Sequence, residues 1–175
     1  MTKSLQFTLV EIAKALNTSE ILWSVGASVL LYKYGLTSTP KDIDISVSVQ
    51  DISIADKILS SMGEKMKEKK SEIYLTEYFY EYIINGINVD LMAGFKIKTK
   101  VGVFEYQYDK LSVPHLFEID GILTPFSTLE EWYVLYQLMP DKEAKVRAIK
   151  EYFNQKGIQY PELLKRIQED ANNVC

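Results

Sequence analysis

Apolar residues recur along the chain at two distinct spacings, and the spacing assigns the elements. In TLVEIAKALN (8–17), Leu9, Ile12, Ala13 and Leu16 fall three or four residues apart, which predicts a helix stopping at Asn17. ILWSV (21–25) is a short apolar strand running into Gly26, and SVLLYKYG (28–35) predicts a helix closed by Gly35. TSTP (37–40) is a turn. DIDISVSV (42–49) then alternates strictly. Ile43, Ile45, Val47 and Val49 share one face and Asp42, Asp44, Ser46 and Ser48 the other, a period of two that means a strand.

Helical spacing returns in DISIADKILSSMGE (51–64). YFYEYIINGINVDLMAGF (78–95) is two apolar runs joined by Asn85-Gly86, the dipeptide that best marks a hairpin. VGVFEYQY (101–108) is strand-like, and HLFEIDGILTPF (115–126) forms a second hairpin around Asp120-Gly121. From Thr128 the pattern changes to three amphipathic helices, TLEEWYVLYQLM, DKEAKVRAIKEYFNQKG and YPELLKRIQEDAN, broken at Pro140 and again over 157–161. The expected fold class is α+β. A mixed β-sheet with flanking helices occupies residues 1–127, and a C-terminal helical segment, 128–175, packs on it.

Composition narrows the function. With 175 residues, 47% hydrophobic and 25% charged, the chain can bury one sizeable core. A net charge of −4 argues against general DNA binding, which needs a basic excess. The basic stretch EKMKEKK (64–70) also carries acids and reads as a solvated strand or loop. Cys175 is the single cysteine, so no intramolecular disulfide forms, and one Cys with one His (His115) excludes a His/Cys zinc cluster. A Ser–His–Asp triad would have to use His115, which has no surrounding signature. No apolar run reaches membrane-span length, and the opening MTKSLQFTLVEIAKAL is too polar and acidic for a signal peptide, so no membrane association and a cytoplasmic location are expected.

The conflict in the pattern is chemical. Asp42 and Asp44 project from one face of an apolar strand with Cβ atoms about 7 Å apart. Carboxylates that close repel and resist burial unless a cation neutralises them, and oxygen-only ligands suit Mg²⁺ or Mn²⁺. Just upstream, the strand–turn–helix SVGASVLL would expose the backbone N–H groups of Ala27, Ser28 and Val29, with the Ser28 hydroxyl as a further donor, a natural place for phosphate. Asp90 sits between Val89 and Leu91 in the strand after Asn85-Gly86 and has the same burial problem.

Gly26-Ala27-Ser28, then thirteen residues, then Asp42-Ile43-Asp44, then the later Val89-Asp90-Leu91 strand, resembles the nucleotidyltransferase superfamily with the DNA polymerase β-type palm. The run YKYGLTSTPKDIDIS resembles its bacterial branch of antibiotic and toxin–antitoxin nucleotidyltransferases. The resemblance implies an enzyme that moves a nucleoside monophosphate from an NTP to an acceptor hydroxyl on a small molecule, a tRNA end or a protein. Asp42 and Asp44 would bind the metal ions, and Asp90 would hold the ion that activates the acceptor. Gly26, Ala27 and Ser28 would hold the β,γ-phosphates, although Ala27 stands where the family carries glycine. MPDKEAKVRAI (139–149) resembles the helix after the family's palm, which would bring Lys142 or Lys145 to phosphate or nucleobase. The competing expectations are a catalytically inactive binding module of this fold with a helical partner protein, or a toxin–antitoxin component.

Overall fold

The computed structural model describes residues 1–37, 39–67 and 71–174. Ser38 of the TSTP turn, residues 68–70 of the basic stretch, and Cys175 lie outside the described residues.

Helix α1 (Lys3–Asn17) starts more than a turn before the apolar period suggested. Thr2 caps it, its Oγ1 accepting from Leu5 N at 3.2 Å, and buried Leu5 extends the Leu9 stripe by one turn. After β1 (Trp23–Val25) and α2 (Ala27–Lys33), the alternating segment forms β2 (Asp42–Val47) with Ile43, Ile45 and Val47 fully buried. It ends two residues earlier than expected, and Val49 is exposed. A turn takes over there. Ser48 Oγ donates to Asp51 Oδ2 at 2.7 Å, and the same carboxylate accepts from Leu22 N at 3.0 Å.

Helix α3 (Ile52–Met62) ends two residues before the helical spacing does, and the short β3 (Glu64–Lys65) follows at the start of the stretch read as a solvated strand or loop. The first hairpin, β4 (Tyr78–Ile84) and β5 (Ile87–Ala93), turns through Asn85 and Gly86 with φ of 52° and 74°, the left-handed pair a two-residue hairpin loop requires. Next come β6 (Lys96–Lys98) and β7 (Val103–Glu105), a separate antiparallel pair; β6 was not anticipated. β7 is shorter than the expected strand because Tyr106 and Tyr108 leave it to bond elsewhere. The Tyr108 hydroxyl lies 2.9 Å from Ser24 Oγ and 3.2 Å from Ser46 O. A 3-10 turn (Lys110–Ser112) leads to the second hairpin, β8 (His115–Ile119) and β9 (Ile122–Phe126), which turns at Asp120-Gly121. Helices α4 (Leu129–Leu138), α5 (Glu143–Lys156) and α6 (Pro161–Asn172) complete the chain.

The fold class is α+β. Seven strands form one mixed sheet in the order β3-β4-β5-β2-β1-β9-β8, which puts β2 at its centre. β2 runs antiparallel to β1 and parallel to β5. Helices α1 and α3 bear on the face that buries Ile43, Ile45, Val89 and Leu91. α4 packs against α2 and carries α5 and α6 outside it, and one hydrophobic cluster runs through sheet and helices alike. The register decides what the opposite face presents: Asp42 pairs with Asn88, Asp44 with Asp90, and Asp90 in turn with Glu81 of β4. Directly opposed residues point to the same side of a sheet, so three carboxylates form a row across three strands.

Candidate active site

A cleft of about 1100 Å³ opens over that row. Its floor holds Asp42, Asp44 and Asp90, one end is closed by Ala27 and Ser28, and Lys142 and Lys145 of α5 reach in from the helical side. The wall beyond Asp90 comes from residues 71–81 and includes Tyr74, Leu75, Glu77, Phe79 and Glu81.

The floor concentrates negative charge at Asp44. Burial, then the neighbouring charges of Asp42 and Asp90, push the Asp44 carboxyl up to about 7 against the opposing pull of Lys145 and the Ser28 N–H. Asp42 is held instead by Ser28, whose Oγ donates to its Oδ1 at 2.8 Å. Among the described residues no three carboxylate, imidazole or thiol groups converge as a ready-made metal cluster. Hard oxygen donors that repel one another without a cation nevertheless fit Mg²⁺ or Mn²⁺.

The turn before α2 has two separate constraints. Gly26 has an ordinary extended backbone, but a Cβ there would lie 2.4 Å from Trp132 Nε1 and 2.6 Å from two ring carbons. The indole therefore lies directly on the glycine, fixed by its own hydrogen bond to Ser127 Oγ at 2.8 Å. Gly26 N–H is spent on the Asp44 backbone carbonyl, at 3.0 Å, and Gly26 does not line the cleft. Ala27 has φ of 43°, a left-handed conformation that favours glycine and costs an L-residue about 1 kcal/mol. The glycine expected at this position by resemblance thus has a backbone reason.

Lys145 Nζ donates to the Tyr136 hydroxyl at 3.3 Å and sits 4.7 Å from the centre of its ring. Burial, followed by the nearby Lys142 charge, lowers its pKa, while Asp44 and Asp42 oppose that shift. Tyr136 is itself buried, tilted against Trp132 with ring centres 5.1 Å apart. Burial and the Asp44 and Asp42 charges raise the pKa of its hydroxyl, which stays protonated.

Of the residues singled out from the sequence, Ala27, Ser28, Asp42, Asp44, Asp90 and Lys145 come together in the cleft, whereas Gly26 lies beneath Trp132. Sequence reasoning missed Trp132, Tyr136 and Glu81. Glu81 was within reach: a two-residue turn at Asn85-Gly86 pairs Ile84 with Ile87 and so sets Glu81 opposite Asp90. Nothing local marks Trp132 and Tyr136, which show only as part of an amphipathic helix.

No protein-family model and no curated protein matches the chain. Solved structures do. A candidate nucleotidyltransferase from Thermotoga maritima (TM1012) is 23% identical, with 89% of this chain and 97% of that one covered at a TM-score of 0.69. ANT(2")-Ia, solved in complex with adenylyl-2"-tobramycin, is 13% identical over 97% of this chain and 99% of its own, at 0.64. The lincosamide antibiotic adenylyltransferase LnuA, lincomycin-bound, is 12% identical over 86% and 96%, at 0.53. The fold of the chain is that of nucleotidyltransferases.

Proposed function

We propose that the chain is a metal-dependent nucleotidyltransferase that transfers NMP from an NTP to an acceptor hydroxyl. The observation that carries this reading is the Asp44–Asp90 register, which sets two carboxylates side by side on the cleft face, with Asp42 on the same strand and Lys145 across the cleft. Asp42, Asp44 and Asp90 would hold Mg²⁺ or Mn²⁺. When bound, the ions would neutralise charge in an in-line displacement that releases pyrophosphate and would lower the pKa of the attacking hydroxyl.

The chain's own residues do the positioning. Asp42 and Asp44 face the nucleotide end of the cleft, beside Ala27 and Ser28. Ser28 Oγ, now on Asp42, is placed to donate to a phosphate oxygen instead. Lys145 adds a positive charge from α5 across the cleft. Asp90 lies one strand further out, between the nucleotide end and the wall formed by residues 71–81. The acceptor hydroxyl would approach there, with Asp90 orienting the oxygen that attacks.

That wall also bears on the acceptor. Its tyrosines, Phe79 and Leu75 suit an apolar or ring-bearing molecule, and Glu77 and Glu81 disfavour a polyphosphate chain. With a net charge of −4 this favours a small-molecule acceptor over tRNA. ANT(2")-Ia and LnuA, whose structures hold an adenylylated tobramycin and lincomycin, lend the same support. Among the described residues no helix is long and apolar enough to cross a membrane, and a reaction drawing on the NTP pool fits the cytoplasm. The test is incubation with α-labelled and γ-labelled NTPs plus Mg²⁺ in a small-molecule extract. Label from the α position alone should enter the extract. Transfer of γ label, or of none, contradicts the proposal.

A further inference from the structure

Lys145 lies in a cleft whose floor is acidic, yet among the described residues it forms no ion pair. Its charge is felt at Asp44 and Asp42 without contact. What touches the ammonium is Tyr136: the hydroxyl accepts from it at 3.3 Å, and the ring face lies 4.7 Å away. A long, flexible ammonium near the carboxylates of Asp42 and Asp44 would ordinarily fold down onto them. A protonated phenol fixed by packing offers the alternative, a neutral acceptor and a π-face together. Tyr136 cannot follow the lysine. It is buried on α4 and wedged against Trp132, which in turn rests on Gly26.

We infer that Tyr136 is a positioning residue that holds the Lys145 ammonium short of Asp42 and Asp44, reserving the cation for the nucleotide's phosphates and the carboxylates for a divalent ion. The inference rests on the proposed metal-dependent reading and adds to it a reason why lysine and carboxylates share one cleft without neutralising each other. Removing the hydroxyl would leave a half-buried ammonium with one partner fewer, and the nearest opposite charges are Asp44 and Asp42. An ion pair formed there would compete with the metal.

Mn²⁺ alone, titrated into the full chain and followed by the loss of the free-ion paramagnetic resonance signal, reads this competition without any turnover. Tyr136→Phe, which keeps the ring, should weaken Mn²⁺ binding roughly five- to tenfold, the scale of one new ion pair to displace. In a Lys145→Met background the same substitution should leave Mn²⁺ affinity unchanged, because no ammonium remains to fall. A merely structural tyrosine would weaken binding equally in both backgrounds, and that result overturns the inference, as does an unchanged affinity in the Lys145 background. If Tyr136→Phe melts early, Lys145→Met alone decides. A lysine already held away from the carboxylates should, on removal, change Mn²⁺ affinity by less than about threefold, whereas one that neutralises them should raise it about tenfold or more. Wild-type protein that binds no Mn²⁺ overturns the metal-dependent reading and this inference with it. Wild type that binds Mn²⁺ while a folded Tyr136→Phe matches it overturns the inference alone.

Discussion

Asp44 of β2 and Asp90 of β5 stand directly opposite one another in a parallel strand pair at the centre of the sheet. Parallel neighbours need a crossover between them, and here α3, β3 and the β4–β5 hairpin return the chain so that the two carboxylates meet. A slip of one residue in that register would turn Asp90 into the apolar layer beneath and Leu91 into the cleft. The buried Ile43, Ile45, Val89 and Leu91 under α1 and α3 resist that slip, so the hydrophobic pattern of one face fixes the chemistry of the other.

The Trp132 contact makes Gly26 the least replaceable residue of the turn. Gly26→Ala drives a methyl into the indole and should cost about 1–3 kcal/mol, as overpacking of a filled core does. Because the clash is with one side chain, Gly26→Ala combined with Trp132→Leu should lose less than the sum of the two single changes. Chemical denaturation of the four proteins measures this. Strict additivity would show that the glycine is needed for something other than the indole.

The elements were largely legible, and the site only in part. Both hairpins followed from their turn dipeptides, and Asp42 with Asp44 followed from a strict period of two that puts both carboxylates on one face. Asp90 was visible as a misplaced carboxylate, but its pairing with Asp44 depends on a long-range register that no local pattern carries. The end of β2 at Val47 was misread because alternation continues to Val49, while the Ser48–Asp51 turn competes for the backbone. Trp132 and Tyr136 were invisible as site residues for a different reason. A helix shows which of its faces is apolar, but not which neighbour that face will meet.

Ser28 links the turn to β2 through its 2.8 Å hydrogen bond to Asp42. Ser28→Ala should weaken binding of the metal–NTP complex by about 1 kcal/mol, and by up to about twice that if the lost bond is to a charged phosphate. It should not weaken binding of Mn²⁺ alone, since Asp42 is then released. Calorimetry with and without NTP separates the two. An equal loss in both titrations would mean that Ser28 serves only to orient Asp42.

Glu131 gives stability a pH dependence away from the cleft. It is buried on α4, accepting from the Tyr106 hydroxyl at 3.0 Å, and burial pushes its carboxyl up to about 8 despite that bond and the nearby Arg166. Its folded pKa therefore lies above its unfolded one. The associated stability is complete below about pH 4.5, where both states hold the proton. Between there and about pH 8 the unfolded chain releases the proton first, and stability falls by up to about 1.4 kcal/mol per pH unit. Glu131→Gln should flatten this slope. Asp44 contributes with the same sign, so the quantity to read is the difference between variant and wild type in urea midpoints from pH 5 to 8. Parallel curves would show that Glu131 is already ionised in the folded protein.

The central claim is that the carboxylate row transfers a nucleotide, and Asp90→Asn tests it most directly. Asp42 and Asp44 remain to hold the nucleotide-side ion, so NTP affinity measured by calorimetry with Mg²⁺ should change little. Removing one well-placed electrostatic group from the transition state costs about 3–4 kcal/mol, so transfer of α label should fall at least a hundredfold. Intact binding with transfer lost is the result predicted. Unimpaired transfer by Asp90→Asn would contradict the account.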